Sequence, residues 1–174
     1  FQVPSSQELQ GIQNPVLNIA VSAAGTRLGE SGVPENLQST AAQRIVVASD
    51  LSLTAGGLYF TDPFGASGPM PPKAGVETTY AVALTITNTT NKITGAKVVA
   101  TLPPYTRLVG NHYLPATEKV NFNGTTGVFT WDVGDIAPSA GLNGTPPRQV
   151  VIELGFTPST SQIDTEPKLL QAIK

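Results

Sequence analysis

Apolar and polar side chains alternate along much of the chain, and this period of two constrains the fold more than any other feature. In YAVALTITN, Tyr80, Val82, Leu84 and Ile86 fall on one face of an extended chain, and small or polar residues fall on the other. Aromatic and β-branched residues at this spacing indicate a half-buried strand that ends at Asn88. Other runs with strand character are 15–23, 44–55 with a continuation at 57–60, 95–102, 107–110, 119–123, 127–133 and 148–156.

Turn residues separate these runs and favour a sheet protein. The chain contains 17 Gly and 15 Pro, yet 40% of its residues are hydrophobic, which suits short strands joined by turns better than disorder. Residues 61–75 are too rich in Gly and Pro for regular structure, and Asn123-Gly124 suits a hairpin turn. No segment has a convincing period of 3.6 residues, although residues 33–43 could supply a short helical turn. The sequence therefore predicts an all-β protein, an antiparallel β-sandwich with little or no helix.

The apolar faces of the predicted strands supply the predicted core. Trp131 is the only Trp, and an aromatic residue on an alternating face is most simply the central residue of a sandwich core. The predicted core residues are Tyr80, Val82, Leu84, Ile86, Leu102, Phe129, Trp131, Val133, Ile152, Leu154 and Phe156.

The two ends of the chain resemble each other. The aligned pairs are Phe1 with Phe156, Pro4 with Pro158, Gln7 with Gln162 and Pro15 with Pro167, at separations of 155, 154, 155 and 152 residues. Self-similarity at a nearly fixed separation is typical of a tandem array, so one interpretation is that the chain is about one period of a longer protein. The other interpretation is that the two ends are unrelated loops rich in Ser and Pro.

These patterns predict one central domain with two flanking segments. Residues 47–160 are predicted to form the sandwich. Residues 1–46 are interpreted either as the tail of a preceding repeat or as extra strands of an enlarged sandwich. Residues 161–174 are interpreted as a linker or as the start of the next repeat segment.

The order of four motifs adds a resemblance to a known family. PPKAGVETTYAVALTITNTTN is followed by GAKVVATLPPYTRLVG, then by GVFTWDVGDIAP and QVVIELGFTPS. A strand that ends in Asn-Thr, a strand that ends in Leu-Pro, a Trp-x-x-Gly turn and a long apolar strand follow one another in this order. The segment resembles the conserved Ig-like repeat domains of bacterial surface proteins over roughly residues 70–160, in which each motif is short and the order carries the specificity.

The resemblance implies a fold, a location and a role. The fold would be an Ig-like β-sandwich of Greek-key type, and the location extracellular, at the cell surface. The role would be that of a non-catalytic structural or adhesive module, a stalk or spacer in a tandem array. Its partners would be neighbouring repeats or other surface subunits, and further partners would be a glycan or a protein of a host or partner cell.

Charge and hydropathy argue against two classes of partner. The net charge is −2 and the ten basic residues are scattered, whereas a protein that binds nucleic acid clusters Lys and Arg against the phosphates. No apolar run approaches the roughly 18 residues that span a bilayer. We therefore expect neither nucleic-acid binding nor a membrane span in this segment.

Few residues suit catalysis or metal binding. His112 is the only His, the chain has no Cys, and no G-x-S-x-G motif presents a Ser nucleophile. We therefore predict no enzymatic activity, no catalytic residue, no metal site and no cofactor.

Two weaker chemical hypotheses concern carboxylates and Lys97. Asp50, Asp62, Asp132 and Asp135 lie near strand ends, where loops can gather the oxygen ligands of Ca²⁺, but no D-x-D-x-D-G loop is present. An isopeptide bond would need a buried Lys beside an Asn or Asp and a carboxyl group, and Lys97 and Glu153 are the residues considered for it.

Three sequons, at Asn88, Asn123 and Asn143, fall in predicted turns where a glycan would fit.

Two alternative functions remain open. Loops 61–75 and 103–117 are long and carry Phe64, Tyr105, His112 and Tyr113, which form a candidate ligand site for a carbohydrate- or protein-binding module. A polymerising appendage or virion subunit is the other alternative, because a strand such as 15–23 could pair with a neighbouring subunit.

Overall fold

The structure is a computed structural model that describes residues 12–28 and 34–174. Regular structure in these residues consists of nine strands and one short 3-10 helix, Thr160–Gln162. The strands are β1 (Val16–Leu28), β2 (Pro34–Val46), β3 (Leu51–Leu58), β4 (Thr78–Asn88), β5 (Ile93–Thr101), β6 (Thr106–Tyr113), β7 (Lys119–Asn123), β8 (Val128–Ile136) and β9 (Arg148–Phe156).

Seven strands form two antiparallel sheets that pack face to face. One sheet has four strands in the order β3-β4-β9-β6, and the other has three in the order β5-β8-β7. At the predicted β7–β8 hairpin, the side chain of Asn123 accepts hydrogen bonds from the backbone N–H groups of Thr125 and Thr126. The predicted all-β sandwich is therefore confirmed.

The order of the strands in the larger sheet differs from the order in an immunoglobulin constant domain. Within the sandwich β4 pairs with the last strand, β9, whereas the second strand of an immunoglobulin constant domain pairs with the fifth. The Greek-key part of the prediction is not confirmed.

No helix in the described part of the chain is long and apolar enough to cross a membrane.

The core lies between the inward faces of the two sheets. Phe129 and Trp131 of β8 have no exposed surface, and they belong to one buried cluster with Leu84 of β4 and Ile152 of β9. Ten of the eleven predicted core residues are buried. Tyr80 is the exception: it is half-buried, because it lies near the end of the sandwich, where its ring contacts Tyr59 and Phe156.

Strands β1 and β2 form a separate two-stranded sheet, here called the ribbon. All thirteen residues of β1 pair with β2, from Val16 opposite Val46 to Leu28 opposite Pro34. None of the ribbon's described side chains is buried. The helical turn considered for 33–43 is wrong for residues 34–43, which belong to β2, because antiparallel pairing satisfies their backbone groups.

One predicted run of strand residues is divided in the structure. The run 44–60 divides between β2 and β3, with residues 47–50 as the connection. Residues 1–11, which carry most of the similarity to the other end of the chain, lie outside the described residues.

The segment 161–174, interpreted from the sequence as a linker or the start of a further repeat, packs on the sandwich. Leu170 is buried in the core, and Gln171 and Thr101 exchange two backbone hydrogen bonds of 2.8 Å. Lys174 and Val99 exchange a second pair, of 2.8 and 3.0 Å. The last four residues thus extend the three-stranded sheet at the outer edge of β5.

Candidate functional site

Four aromatic rings line one end of the sandwich. Tyr59 lies 5.6 Å from Tyr80, Tyr80 lies 6.5 Å from Phe156, and Phe156 lies 5.8 Å from Tyr105, measured between ring centroids. Burial, with a smaller effect of Tyr59, raises the pKa of the Tyr80 hydroxyl above its usual value, so this phenol stays protonated at neutral pH. The rings therefore offer stacking surface, and Tyr80 adds a neutral hydroxyl group.

A groove opens beside these rings, and we call it the end groove. Its volume is about 520 Å³, and its lining includes Pro71, Pro72, Tyr80, Phe156, Pro158 and Ile163. The loop 61–75, predicted from its Gly and Pro content, supplies one wall, and the segment after β9 supplies the other. An apolar groove with a few hydroxyl groups at its edge suits a small ligand with both apolar and polar faces.

The residues predicted to form a ligand site do not come together. Tyr105 contacts Phe156 beside the end groove, whereas Tyr113 is 74% exposed at the other end of β6. The seven residue steps of β6 separate the two ends by about 23 Å, at about 3.3 Å per residue. The prediction of a single loop at 103–117 is therefore wrong, since strand β6 occupies the middle of this segment.

The two remaining predicted site residues have local contacts. His112 is exposed, and its Nδ1 lies 3.0 Å from the backbone oxygen of Gly110. Phe64 is half-buried within the loop 61–75, where its N–H donates to the side chain of Asp62 at 2.7 Å. Neither arrangement activates a nucleophile or presents a base.

Two of the four carboxylates considered for calcium, Asp132 and Asp135, form ion pairs instead. Asp132 lies 3.1 Å from Lys97, and Asp135 lies 2.7 Å from Lys92. The hydrogen bond from Lys92, and after it that from the N–H of Gly95, lowers the pKa of Asp135. Among the described residues, no three His, Cys, Asp or Glu side chains are close enough together to hold a metal ion.

The isopeptide hypothesis does not fit the geometry. The Lys97 side chain is 56% exposed and pairs with Asp132. Glu153 is buried on the other sheet, where the side-chain amide of Asn111 donates to it at 2.6 Å. An exposed Lys on one sheet and a carboxyl group on the other are not the buried, adjacent groups that this reaction needs.

Asn88, predicted to lie in an accessible turn, is fully buried at the end of β4. Its side-chain amide donates to the backbone oxygens of Asn91 at 2.6 Å and Ala137 at 3.0 Å. Its side-chain oxygen accepts a 2.5 Å hydrogen bond from the hydroxyl of Ser49. The prediction that a glycan fits at this sequon is therefore wrong for the folded protein, while Asn123 and Asn143 are exposed.

Residues 88–91 hold the base of the ribbon against the sandwich, and we call them the clamp. The Asn91 side chain donates to the backbone oxygen of Val47, and the backbone N–H of Asn14 donates to Thr90 at 2.8 Å. The Ser49 hydroxyl also accepts from the backbone N–H groups of Thr90 and Asn91. The polar end of β4 therefore joins the two parts of the structure.

A second groove, the edge groove, lies between the edge strands β3 and β5. Its volume is about 360 Å³, and its lining includes Leu51, Leu53, Ile86, Val98 and Ile173. By register Leu53 lies opposite Ile86, and Ala55 lies opposite Leu84, so β3 continues the inward face of its sheet. That face is uncovered because three strands oppose four.

The fold and these grooves place the chain among all-β sandwich proteins with exposed, unfilled edges. No protein-family model matches the chain, and neither a curated protein nor a solved structure matches it.

Sequence reasoning missed the buried groups Asn88 and Glu118. Glu118 precedes a short strand, and nothing beside it in the sequence indicates burial. The only available signal was indirect: a buried Trp needs an acceptor for its N–H.

Proposed function

We propose that the chain is a non-catalytic structural module of a bacterial surface protein and serves as a stalk or spacer unit in a tandem array outside the cell. The observation that carries this proposal is the ribbon, a pair of thirteen-residue strands none of whose described side chains is buried. A two-stranded ribbon is marginally stable by itself in water. A neighbouring unit that packs against the ribbon would stabilise it, as expected in an array.

Two further features support the proposal. The similarity between residues 1–20 and 156–173 is the pattern expected of successive units. The clamp joins the base of the ribbon to the sandwich through hydrogen bonds of the Ser49 hydroxyl with Asn88, Thr90 and Asn91 and through the bond from the Asn91 side chain to Val47, which suits transmission of force along a chain of units.

The size and location of the natural protein test the proposal. An antibody raised against this chain is applied to fractionated cells of the source organism. We expect a band far above 18.1 kDa in the envelope fraction. A soluble band near 18.1 kDa would contradict both the array and the surface location.

The end groove supports a second candidate, a glycan-binding module. Ring faces such as those of Tyr80 and Tyr105 stack on the apolar faces of sugars, and the groove beside them is about 520 Å³. The test is a panel of oligosaccharides with the unmodified chain, Tyr105→Ala and Tyr113→Ala. Binding lost in Tyr105→Ala and kept in Tyr113→Ala would support this function, because Tyr113 lies at the other end of β6. No binding by the unmodified chain, or equal loss in both variants, would count against it.

A further inference from the structure

Strand β3 lies at an edge of the four-stranded sheet, and its outer side has no partner strand in the described part of the chain. Just before it, the backbone oxygen of Asp50 accepts from the N–H of Thr89 at 3.1 Å, so the backbone groups of Asp50 point toward β4. This direction alternates along a strand, so residues 52, 54 and 56 also point to β4. Residues 51, 53, 55 and 57 therefore present their N–H and C=O groups at the open edge.

The other three edges of the sandwich carry features that hinder pairing with another strand. The edge of β5 is partly covered by residues 171–174 and is interrupted by register shifts. The edge of β6 contains Arg107 and a register shift between Leu108 and His112. Strand β7 is only five residues long and includes Lys119. Bulges, charges and short strands are the usual protection of sheet edges.

Strand β3 has none of these protective features. Its sequence, LSLTAGGL, contains no charged residue and no Pro, and it pairs with β4 over all eight residues without a register shift. A regular, uncharged edge of this kind is a template for pairing with another chain.

Neither backbone geometry nor packing within the described chain requires the two glycines of β3. Gly56 and Gly57 are not among the residues with positive φ, and no atom of the described residues lies within 4 Å of a Cβ placed at either position. Glycine inside a strand weakens it and often marks a place where another backbone approaches closely. The open edge of β3 therefore offers space as well as free backbone groups.

The side chains on the inward side of β3 decrease in size along the strand. Leu51 and Leu53 come first, and Ala55 and Gly57 follow. When two such strands pair in antiparallel fashion, the large half of one lies opposite the small half of the other. This edge is thus complementary to a second copy of itself, as an isologous two-fold interface requires.

We propose that two copies of the chain pair through β3 in antiparallel fashion, about a two-fold axis at Thr54. Thr54 then lies opposite the second copy's Thr54, Leu53 opposite its Ala55, and Leu51 opposite its Gly57. Leu53 and Ala55 form a hydrogen-bonded pair, because both direct their backbone groups to the open edge, and the two Thr54 residues form a non-hydrogen-bonded pair. The two four-stranded sheets join into one sheet in the order β6-β9-β4-β3-β3-β4-β9-β6.

Side-chain direction and side-chain size select this register. A slip by one residue would place every inward side chain of one strand opposite an outward side chain of the other. A slip by two residues would place Leu53 opposite Leu53 in one direction and Leu51 beyond the end of β3 in the other. Only the proposed register gives each inward-facing Leu of β3 a small partner within the strand.

This contact goes beyond the proposed stalk function and does not depend on it, because it needs only the folded sandwich. The inward sides of both β3 strands lie on the same side of the joined sheet, so the two edge grooves lie next to each other. In a tandem array, the contact would join two arrays side by side.

Disulfide trapping tests the register, and the absence of Cys in the sequence leaves the background clean. Thr54→Cys is oxidised in the full chain, and the linked product has twice the 18.1 kDa mass of one chain. The two Cα atoms of a non-hydrogen-bonded pair are about 4.5 Å apart, which a disulfide spans.

Ser52→Cys is the matched control, because Ser52 and Thr54 are both exposed and lie on the same face of β3. In the proposed register Ser52 lies opposite Gly56, four residue steps or about 13 Å from the second copy's Ser52. We expect roughly ten-fold more linked dimer from Thr54→Cys than from Ser52→Cys, because a disulfide requires Cα atoms within about 7 Å. Equal yields, or no dimer from Thr54→Cys, would overturn the proposal.

A second experiment measures the association without a covalent link. Sedimentation equilibrium is run on the unmodified chain, on Gly57→Lys and on Gly25→Lys, which adds the same charge at a glycine of the ribbon. We expect the unmodified chain and Gly25→Lys to form a dimer, and Gly57→Lys to raise the dissociation constant by roughly ten-fold or more, because a charge on an edge strand opposes pairing. Thermal unfolding followed by circular dichroism confirms that both variants fold.

A monomeric unmodified chain, or equal dissociation constants for the two folded variants, would contradict pairing through β3. The outcome is separate from that of the proposed function. A dimer together with a soluble natural protein near 18.1 kDa would remove the array and keep the contact, and a monomer together with a large envelope protein would do the reverse.

Discussion

The indole Nε1 of Trp131 donates a 2.6 Å hydrogen bond to Oε2 of Glu118 in the interior of the sandwich. The other oxygen of Glu118 lies 2.6 Å from Nη2 of Arg148, at the start of β9. Glu118 is 5% exposed, so its charge depends on these two partners. A buried carboxylate is costly unless it is paired and hydrogen-bonded, and this cluster also ties β8 to β9 across the two sheets.

Trp131→Phe tests the value of this contact. The substitution keeps an aromatic ring but removes the donor, which leaves a buried carboxylate oxygen without its partner. We expect the free energy of unfolding to fall by about 2–4 kcal/mol, from the unmade hydrogen bond and the smaller ring. Urea denaturation followed by circular dichroism measures it. Phe129→Leu, which alters the core on the same strand without touching Glu118, is the control. A cycle with Glu118→Gln that shows no coupling would contradict the interpretation.

Ser49→Ala tests the clamp. The Ser49 hydroxyl donates to buried Asn88 at 2.5 Å and accepts from two backbone N–H groups. We expect a loss of about 1–3 kcal/mol, because a buried side-chain oxygen of Asn88 is left without this donor. Fluorescence of Trp131, the only Trp, follows unfolding in urea. Ser52→Ala, at an exposed position in β3, should change stability by less than about 0.5 kcal/mol. Equal effects of the two substitutions would contradict the role given to the clamp.

Glu77 and Arg107 predict a small pH dependence. Two hydrogen bonds of 2.6 and 2.7 Å from Arg107 hold the pKa of Glu77 below its usual value. The folded state then binds the proton more weakly than the unfolded state, so this stabilisation is present above the unfolded pKa and is lost as pH falls through the lowered one. Because both groups are near the surface, Arg107→Gln should cost only about 0.2–1 kcal/mol at neutral pH.

The measurement for this pair is urea unfolding of the unmodified chain and Arg107→Gln at neutral pH and at a pH below the lowered pKa of Glu77. The difference in unfolding free energy between them should shrink at acid pH. A difference that stays the same would show that the contact contributes through packing of the Arg107 stem rather than through charge.

Gly68→Ala should destabilise the loop 61–75. Gly68 has a φ of 90°, and a Cβ at this position would overlap the backbone oxygen of Glu77. Gly65 has a similar φ of 86°, but nothing lies within 4 Å of a Cβ placed there. Gly65→Ala is therefore a matched control for the backbone conformation alone, which costs about 1 kcal/mol. We expect Gly68→Ala to lower the midpoint of thermal unfolding clearly more than Gly65→Ala, and equal shifts would contradict the close packing of this loop.

Much of the fold was predictable from local patterns. The alternation in YAVALTITN predicted β4 and its inward face, and the hairpin at Asn123-Gly124 followed from its turn residues. The candidate site was predicted less well. Tyr105 and Tyr113 were grouped because they are close in sequence, but the strand between them holds them at opposite ends.

The sequence by itself determined most strands of the sandwich and which of their faces are apolar, because alternation depends only on residues that are neighbours in the chain. It did not determine β2, whose residues 34–43 became a strand through pairing with β1. Only the tertiary structure decided that Asn88 is buried, that Glu118 pairs with Trp131 and Arg148, and that β4 lies between β3 and β9. These contacts join residues that are far apart in sequence, and burial of a polar group depends on partners brought from other strands. The tertiary structure also decided that the ribbon and the inward side of β3 are exposed, since packing of the sheets determines which surfaces stay uncovered.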